Sequence, residues 1–112
     1  MPFLEITTNT AINDEQDIAI KASKLTADIL GKPEGYVMVK LHSDQTLIFA
    51  GNNKPAAYVQ LKSLNLPEEE TSEYSSTLCS FIENELNINS DRIYIEFINP
   101  KRHLWGWDKK TF

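Results

Sequence analysis

The chain predicts an α+β fold of two layers: a four-stranded mixed sheet with two helices on one face, built from two pseudo-symmetric β-α-β units. Three observations predict it. Two long stretches carry apolar residues at helical spacing, each flanked by short runs of strand character. Each stretch ends in a residue suited to a left-handed turn, Gly31 in the first and Asn87 in the second. An offset of 56 positions lays Ile18 on Tyr74, Ala22 on Leu78, Leu25 on Phe81 and Leu30 on Leu86, and Tyr36-Val-Met-Val on Arg92-Ile-Tyr-Ile. One domain of 112 residues holds both units, over about residues 2–45 and 55–99.

In chain order, Phe3-Leu-Glu-Ile-Thr-Thr reads as a first strand. Ile12 to Leu30 reads as a helix: Asn13 and Asp14 offer caps, and Asp14, Glu15 and Asp17 place negative charge where the helix dipole favours it. Gly31 and Pro33 stop it. Tyr36 to Leu41 reads as a strand, and Leu47 to Ala50 as a shorter extended piece ended by Gly51-Asn52-Asn53. Ala57 to Leu64 alternates as a strand with one buried face does. Pro67 to Ser72 is a polar entry to the second helix, whose stripe is Tyr74, Leu78, Phe81, Ile82 and Leu86; Glu68-Glu69-Glu70 reads as solvated. Ile93 to Ile98 is the last strand.

Tyr36–Leu41 and Ile93–Ile98 are apolar at nearly every position, as strands buried on both faces are, yet two helices cover one face only. The pattern therefore predicts a closed oligomer in which the open faces of several sheets meet. The tail is also unusually apolar: Trp105, Gly106, Trp107 and Phe112 crowd into the last eight residues, where chains commonly fray, so it is expected either to dock onto a neighbour or to line a pocket.

Composition excludes several classes. Net charge is −5, and no basic run exceeds Lys101-Arg102-His103 or Lys109-Lys110, which argues against nucleic-acid binding. No run of 18 apolar residues suggests a membrane span, and no signal peptide is read at the N-terminus. Cytoplasm is the default location, with leaderless secretion left open. The lone cysteine, Cys79, reads as a small hydrophobe and cannot form an internal disulfide. His42 and His103 lack metal-ligand spacing, and there is no glycine-rich phosphate loop, so no cofactor or metal is expected.

Pro2 is the candidate catalytic residue. Methionine aminopeptidases remove Met1 when the second side chain is small, which would leave a secondary amine on a rigid ring. A free α-amino group titrates near ~7.7–8.0, and burial or a nearby cation lowers that value toward the range useful for proton transfer. With Met1 in place the same nitrogen is an amide without basicity. Pro at this position is also common for efficient Met1 removal alone.

The residues Met1-Pro2-Phe3, Gly31-Lys32-Pro33 with Tyr36, Asp44-Gln45, Phe49-Ala50-Gly51, Ser63, Asp91-Arg92-Ile93-Tyr94-Ile95, Gly106-Trp107 and Thr111-Phe112 run in order along the whole chain. In these the chain resembles the macrophage migration inhibitory factor family of the tautomerase superfamily. The resemblance implies a homotrimer whose sheets form a barrel, with three sites at subunit interfaces. It also implies cofactor-free keto–enol tautomerisation of phenylpyruvate-like aromatic 2-oxo acids. By position Pro2 would be the general base, with Lys32 beside it depressing its pKa and attracting an anionic substrate. Tyr36, Ser63, Leu64, Tyr94, Glu96, Trp107 and Phe112 would line the pocket, some from a neighbouring subunit, with Trp105 narrowing its mouth. Lys32 also reads as a solvated cation at a helix C-terminus, a favourable place for one. Glu96, where animal relatives often have asparagine, is either a pocket acid or an outward strand residue paired with a lysine or arginine. Ala56 and Val59 occupy the positions of the Cys-x-x-Cys pair of animal relatives, so thiol–disulfide chemistry is not expected. Two other roles are compatible with the resemblance: a cytokine-like signalling trimer with a vestigial pocket, and a pseudo-enzyme that binds aromatic acids without turnover.

Overall fold

Strand alternation decides which side of the sheet the helices cover. The computed structural model describes residues 1–112. Its four-stranded sheet has the order β2-β1-β3-β4, with β1 at Phe3–Thr8, β2 at Met38–His42, β3 at Ala57–Lys62 and β4 at Ile93–Ile98. The two outer pairs are parallel, and β1 and β3 run antiparallel at the centre. The sheet is therefore mixed, and each β-α-β unit supplies one parallel pair.

Helices α1 (Glu15–Leu30) and α2 (Thr71–Leu86) cover one face. Leu4 and Ile6 from β1, Val59 and Leu61 from β3, and Leu78 and Ile82 from α2 are fully buried between the layers. Burying a side chain of this size contributes ~1.5–3 kcal/mol relative to leaving it in water, so these residues fix the register of the two inner strands. Buried polar atoms find partners: Thr8 Oγ1 donates to the Ala56 carbonyl at 2.7 Å and Thr26 Oγ1 to the Ala22 carbonyl at 2.7 Å.

Both helix ends are closed as the sequence predicts. Gly31 (φ 62°) ends α1, with its N–H donating to Asp28 and that of Lys32 to Ala27, a pair of bonds that satisfies the last carbonyls. Asn87 (φ 56°) ends α2 with a single bond to Glu83. Several expectations shift: β3, expected to run to Leu64, ends at Lys62. Helix α1 starts at Glu15 rather than Ile12, because the Asp14 carboxylate accepts from the Asp17 N–H and sets the cap there. Residues 34–36 form a 3₁₀ turn after Pro33, so the strand expected from Tyr36 starts at Met38. Leu47–Ala50 does not form a strand. A single bridge joins Phe49 to Asn52 around Ala50 (φ 53°) and Gly51 (φ 77°).

The other sheet face is open, as the pattern requires, but it is less apolar than the sequence suggests. Register places three rows across it: Met38-Phe3-Lys62-Ile98, Lys40-Glu5-Gln60-Glu96 and His42-Thr7-Tyr58-Tyr94. Apolar and aromatic groups share the outer rows with Lys62, Thr7 and His42, and every residue of the middle row is charged or polar. His42 Nε2 lies 2.7 Å from Glu5 Oε2 on this face.

No helix is long and apolar enough to cross a membrane.

Candidate active site

Three segments meet at the end of the sheet that carries the Phe3 row. Pro2, just ahead of β1, is fully buried. Its carbonyl accepts from the Met38 N–H at 3.0 Å. A proline lacks the N–H that the ladder would use, so the start of a strand is where it fits. The left-handed turn at Gly31 then turns the chain so that Lys32 reaches across to the end of β3. There Lys32 Nζ donates to Ser63 Oγ at 2.6 Å and also to the Leu64 carbonyl. Ser63 is fully buried, and its N–H donates to the Ile98 carbonyl at 3.1 Å, which fixes it to β4.

The third segment is the tail. A 3₁₀ turn at Arg102–Leu104 precedes a two-stranded hairpin, β5 (Gly106–Trp107) and β6 (Lys110–Thr111). Asp108 (φ 51°) and Lys109 (φ 65°) form its two-residue turn, both left-handed, as tight hairpins require. The hairpin stacks Trp107 on Phe112 at 5.9 Å and 9°, and sets Trp107 edge-on to Tyr36 at 6.1 Å and 86°. The Phe112 N–H donates to the Trp105 carbonyl at 3.2 Å, so the last residue is anchored.

These segments enclose an open cleft of about 250 Å³. Lys32, Tyr36, Leu64, Trp107 and Phe112 line it together with Met1, Asn65 and Arg102. The amino group of Met1 opens onto the cleft, and its pKa is held below the ordinary value by burial first, then by the positive charges of Lys32 and Arg102. Burial likewise lowers the pKa of Lys32. The site thus holds a terminal amine biased toward its neutral form, beside a pinned ammonium and an aromatic wall. That combination can take up and return a proton near an anionic aromatic molecule.

Of the residues singled out in the sequence, Pro2, Lys32, Tyr36, Ser63, Leu64, Trp107 and Phe112 come together here. Tyr94, Glu96 and Trp105 do not. Tyr94 lies in the row at the opposite end of the open sheet face, with its ring 4.9 Å from that of Phe49. Glu96 accepts from the Tyr58 hydroxyl and from Gln60 Nε2 at 2.9 Å. Those two bonds hold its carboxyl below the usual range, and its partners are neutral groups rather than a paired lysine or arginine. Trp105 lines a separate depression of about 420 Å³ with Phe3, Lys62 and Leu104, because the 3₁₀ turn sends it to the open-face side.

Sequence reasoning missed Asn65 and Arg102. Asn65 carries a left-handed φ of 54°, a conformation asparagine tolerates better than most residues, so its residue type was the only signal in the sequence. Arg102 had none: it enters the cleft through a turn whose direction no local pattern encodes.

The two halves of the fold differ most at this corner. The position equivalent to Lys32 is Ile88, which is 1% exposed and part of the core. The residue ahead of β3, where Pro2 stands ahead of β1, is the buried Ala56.

No group of three or more His, Cys, Asp and Glu is placed to hold a metal ion.

The family model for macrophage migration inhibitory factor matches residues 1–112. The chain is 34% identical to the macrophage migration inhibitory factor homolog of Trichinella spiralis, with 100% of both chains covered. Its fold matches the crystal structure of a homologue from Prochlorococcus marinus at a TM-score of 0.93, with 38% identity and 98% of each chain covered. The Trichinella spiralis structure matches at 0.93 with 32% identity, covering 98% of this chain and 99% of that one. On the whole-chain match and the shared architecture, the chain belongs to the macrophage migration inhibitory factor family.

Proposed function

We propose that the protein is a cofactor-independent keto–enol tautomerase of phenylpyruvate-like aromatic 2-oxo acids, with Pro2 as general base once Met1 is removed. The observation that carries this reading is the shared cleft, where the chain's amino end, Lys32 and the Tyr36–Trp107–Phe112 wall meet. Removing Met1 vacates part of that cleft and makes the Pro2 nitrogen the terminal amine. Burial and the positive charges of Lys32 and Arg102 lower the pKa of the Met1 amine, and the same causes would act in the same direction on a Pro2 amine in this corner.

In the keto-to-enol direction the neutral amine takes a proton from the carbon beside the ketone. The C–H electron pair becomes the C=C bond, and the carbonyl π pair moves to oxygen, which takes the proton from the ammonium just formed and leaves the amine neutral again. The reverse sequence returns the proton to carbon. Lys32 supplies positive potential for the developing oxyanion, and because Ser63 and Leu64 already hold it, little reorganisation is needed.

The working unit in this reading is a homotrimer with open sheet faces turned inward. Met38 and Tyr94 are each 65% exposed on that face, which supports burial by another copy. Tyr94 and Glu96 would then border a neighbour's cleft.

The test is phenylpyruvate ketonisation by protein whose N-terminus is confirmed by intact mass, compared with Pro2→Gly and with a Met1-retaining form. Activity only in the Met1-free wild type supports Pro2 as base. An inactive Met1-free wild type, or variants that match it, overturns the enzyme reading in favour of binding or signalling.

A further inference from the structure

Asn65 lines the cleft and has no part in the chemistry described so far. Its carboxamide makes no hydrogen bond within the chain, whereas those of Asn9 and Asn99 are spent on backbone carbonyls and on Glu68. A neutral amide with two unspent N–H donors thus stands exposed at the rim.

The turn that carries it is fixed on both sides. The Ser63 N–H donates to the Ile98 carbonyl at 3.1 Å and the Leu66 N–H to Asn99 Oδ1 at 3.4 Å, so both flanks are tied to the end of β4. Leu64 and Leu66 are 3% and 5% exposed, and between them Asn65 takes its left-handed φ of 54°. A residue set between two buried neighbours and two tethers has little freedom to swing away, which is the condition for a preorganised donor.

Lys32 reaches the same turn. The carbonyl that accepts from Lys32 Nζ belongs to the peptide group joining Leu64 to Asn65. The ammonium has spent two of its three N–H groups, on Ser63 Oγ and on that carbonyl, and keeps one for a ligand. An oxygen that gains negative charge accepts more than one bond, and the uncommitted carboxamide on this turn is that of Asn65. A neutral donor bonds weakly to a ketone oxygen and more strongly as that oxygen becomes an enolate, so it favours the transition state over the bound substrate.

We infer that Asn65 Nδ2 is a second donor to the substrate oxygen that becomes the enolate, beside the remaining N–H of Lys32. The inference rests on the tautomerase reading and adds a residue to its machinery. Asn65 gives up no proton: the proton taken from carbon passes from the amine to the oxygen, and the carboxamide stabilises the charge between those steps.

The experiment measures phenylpyruvate ketonisation by Met1-free wild type, Asn65→Gly and Asn65→Asp. Thermal melting and calorimetric binding of 3-phenylpropanoate, which lacks the reacting oxygen, accompany it. Asn65→Gly keeps the left-handed turn without the donor, and Asn65→Asp keeps the shape without the donor. Asn65→Gly should lower kcat about tenfold or more, the scale of one hydrogen bond to a developing charge, with KM within about twofold. Its melting temperature and its binding of 3-phenylpropanoate should match wild type. Asn65→Asp should lose at least as much kcat. A kcat within about twofold of wild type in either variant overturns the inference and leaves Asn65 as a turn former only. A loss in Asn65→Gly confined to KM and to 3-phenylpropanoate binding also overturns it, because the residue then acts on the bound acid and not on the reacting oxygen. A Met1-free wild type without turnover overturns the tautomerase reading and this inference together, whereas an active wild type matched by Asn65→Gly overturns this inference alone.

Discussion

Lys32 Nζ lies 2.6 Å from Ser63 Oγ, and this one bond joins the C-terminal end of α1 to the end of β3. A lysine held this way is a fixed charge rather than a mobile surface cation, and burial lowers its pKa. The bond makes a buried serine part of the site although it is not among the residues that line the cleft.

Ser63→Ala should separate stability from chemistry. It removes one acceptor of the ammonium and leaves the Leu64 carbonyl, so the expected loss of stability is ~1–2 kcal/mol. Thermal melting checks that figure. Loss of activity on phenylpyruvate should exceed what any fall in folded fraction explains, because Lys32 is no longer held in place.

Lys32→Met should shift the pH profile. The amine works as a base only when neutral, so kcat/KM rises with pH through the amine pKa. The positive charge of Lys32 lowers that pKa in the Met1 form, and the same sign holds for Pro2. Removing the charge raises the pKa, and the acid limb of the profile moves to higher pH. The plateau should also drop by roughly 100-fold if the oxyanion loses its partner. A pH series of kcat/KM measures both effects.

Trp107→Ala removes the ring stacked on Phe112 and edge-on to Tyr36. An aromatic contact of this kind is worth ~0.5–1.5 kcal/mol, so KM for phenylpyruvate should rise roughly two- to tenfold. A 2-oxo acid with an aliphatic chain should show a smaller change under the same assay.

Lys109→Gly should tighten the tail. A lysine at φ 65° pays a steric cost that glycine does not, on the order of 1 kcal/mol. Because a terminal hairpin can open without global unfolding, the gain should appear as slower amide exchange at Phe112 rather than as a higher melting temperature.

Met38→Glu should prevent assembly. Met38 is exposed in the row with Phe3, Lys62 and Ile98, and a carboxylate buried there by another copy would lose its hydration. Sedimentation should give a trimer for wild type and smaller species for the variant.

The repeated unit was legible because helix stripes and left-handed stops are local. Ile18, Ala22 and Leu30, and again Tyr74, Leu78 and Ile82, are buried as their spacing implies. Gly31 and Asn87 end the helices where the sequence places them. The errors came where a local pattern was shared by two structures. Tyr36-Val-Met-Val has strand composition throughout, yet Pro33 nucleates a 3₁₀ turn that takes up Tyr36 first. The charged middle row of the open face was hidden because it emerges only when four strands are set in register. Five of the eight residues that line the cleft, Lys32, Tyr36, Leu64, Trp107 and Phe112, were readable through family resemblance. Its second cation was not, because the approach of Arg102 to the amino end depends on a turn more than 100 positions away.

The contrast between Lys32 and Ile88 implies a division of labour between the two copies of the unit. One corner is hollow and holds an ammonium at a cost in solvation; its counterpart is filled with hydrocarbon and repays part of that cost. A saturation scan should therefore yield two maps that overlap little. Substitutions around Ile88 would deplete folded protein while sparing the turnover of each molecule that folds, and those at Lys32 itself would act mainly on turnover.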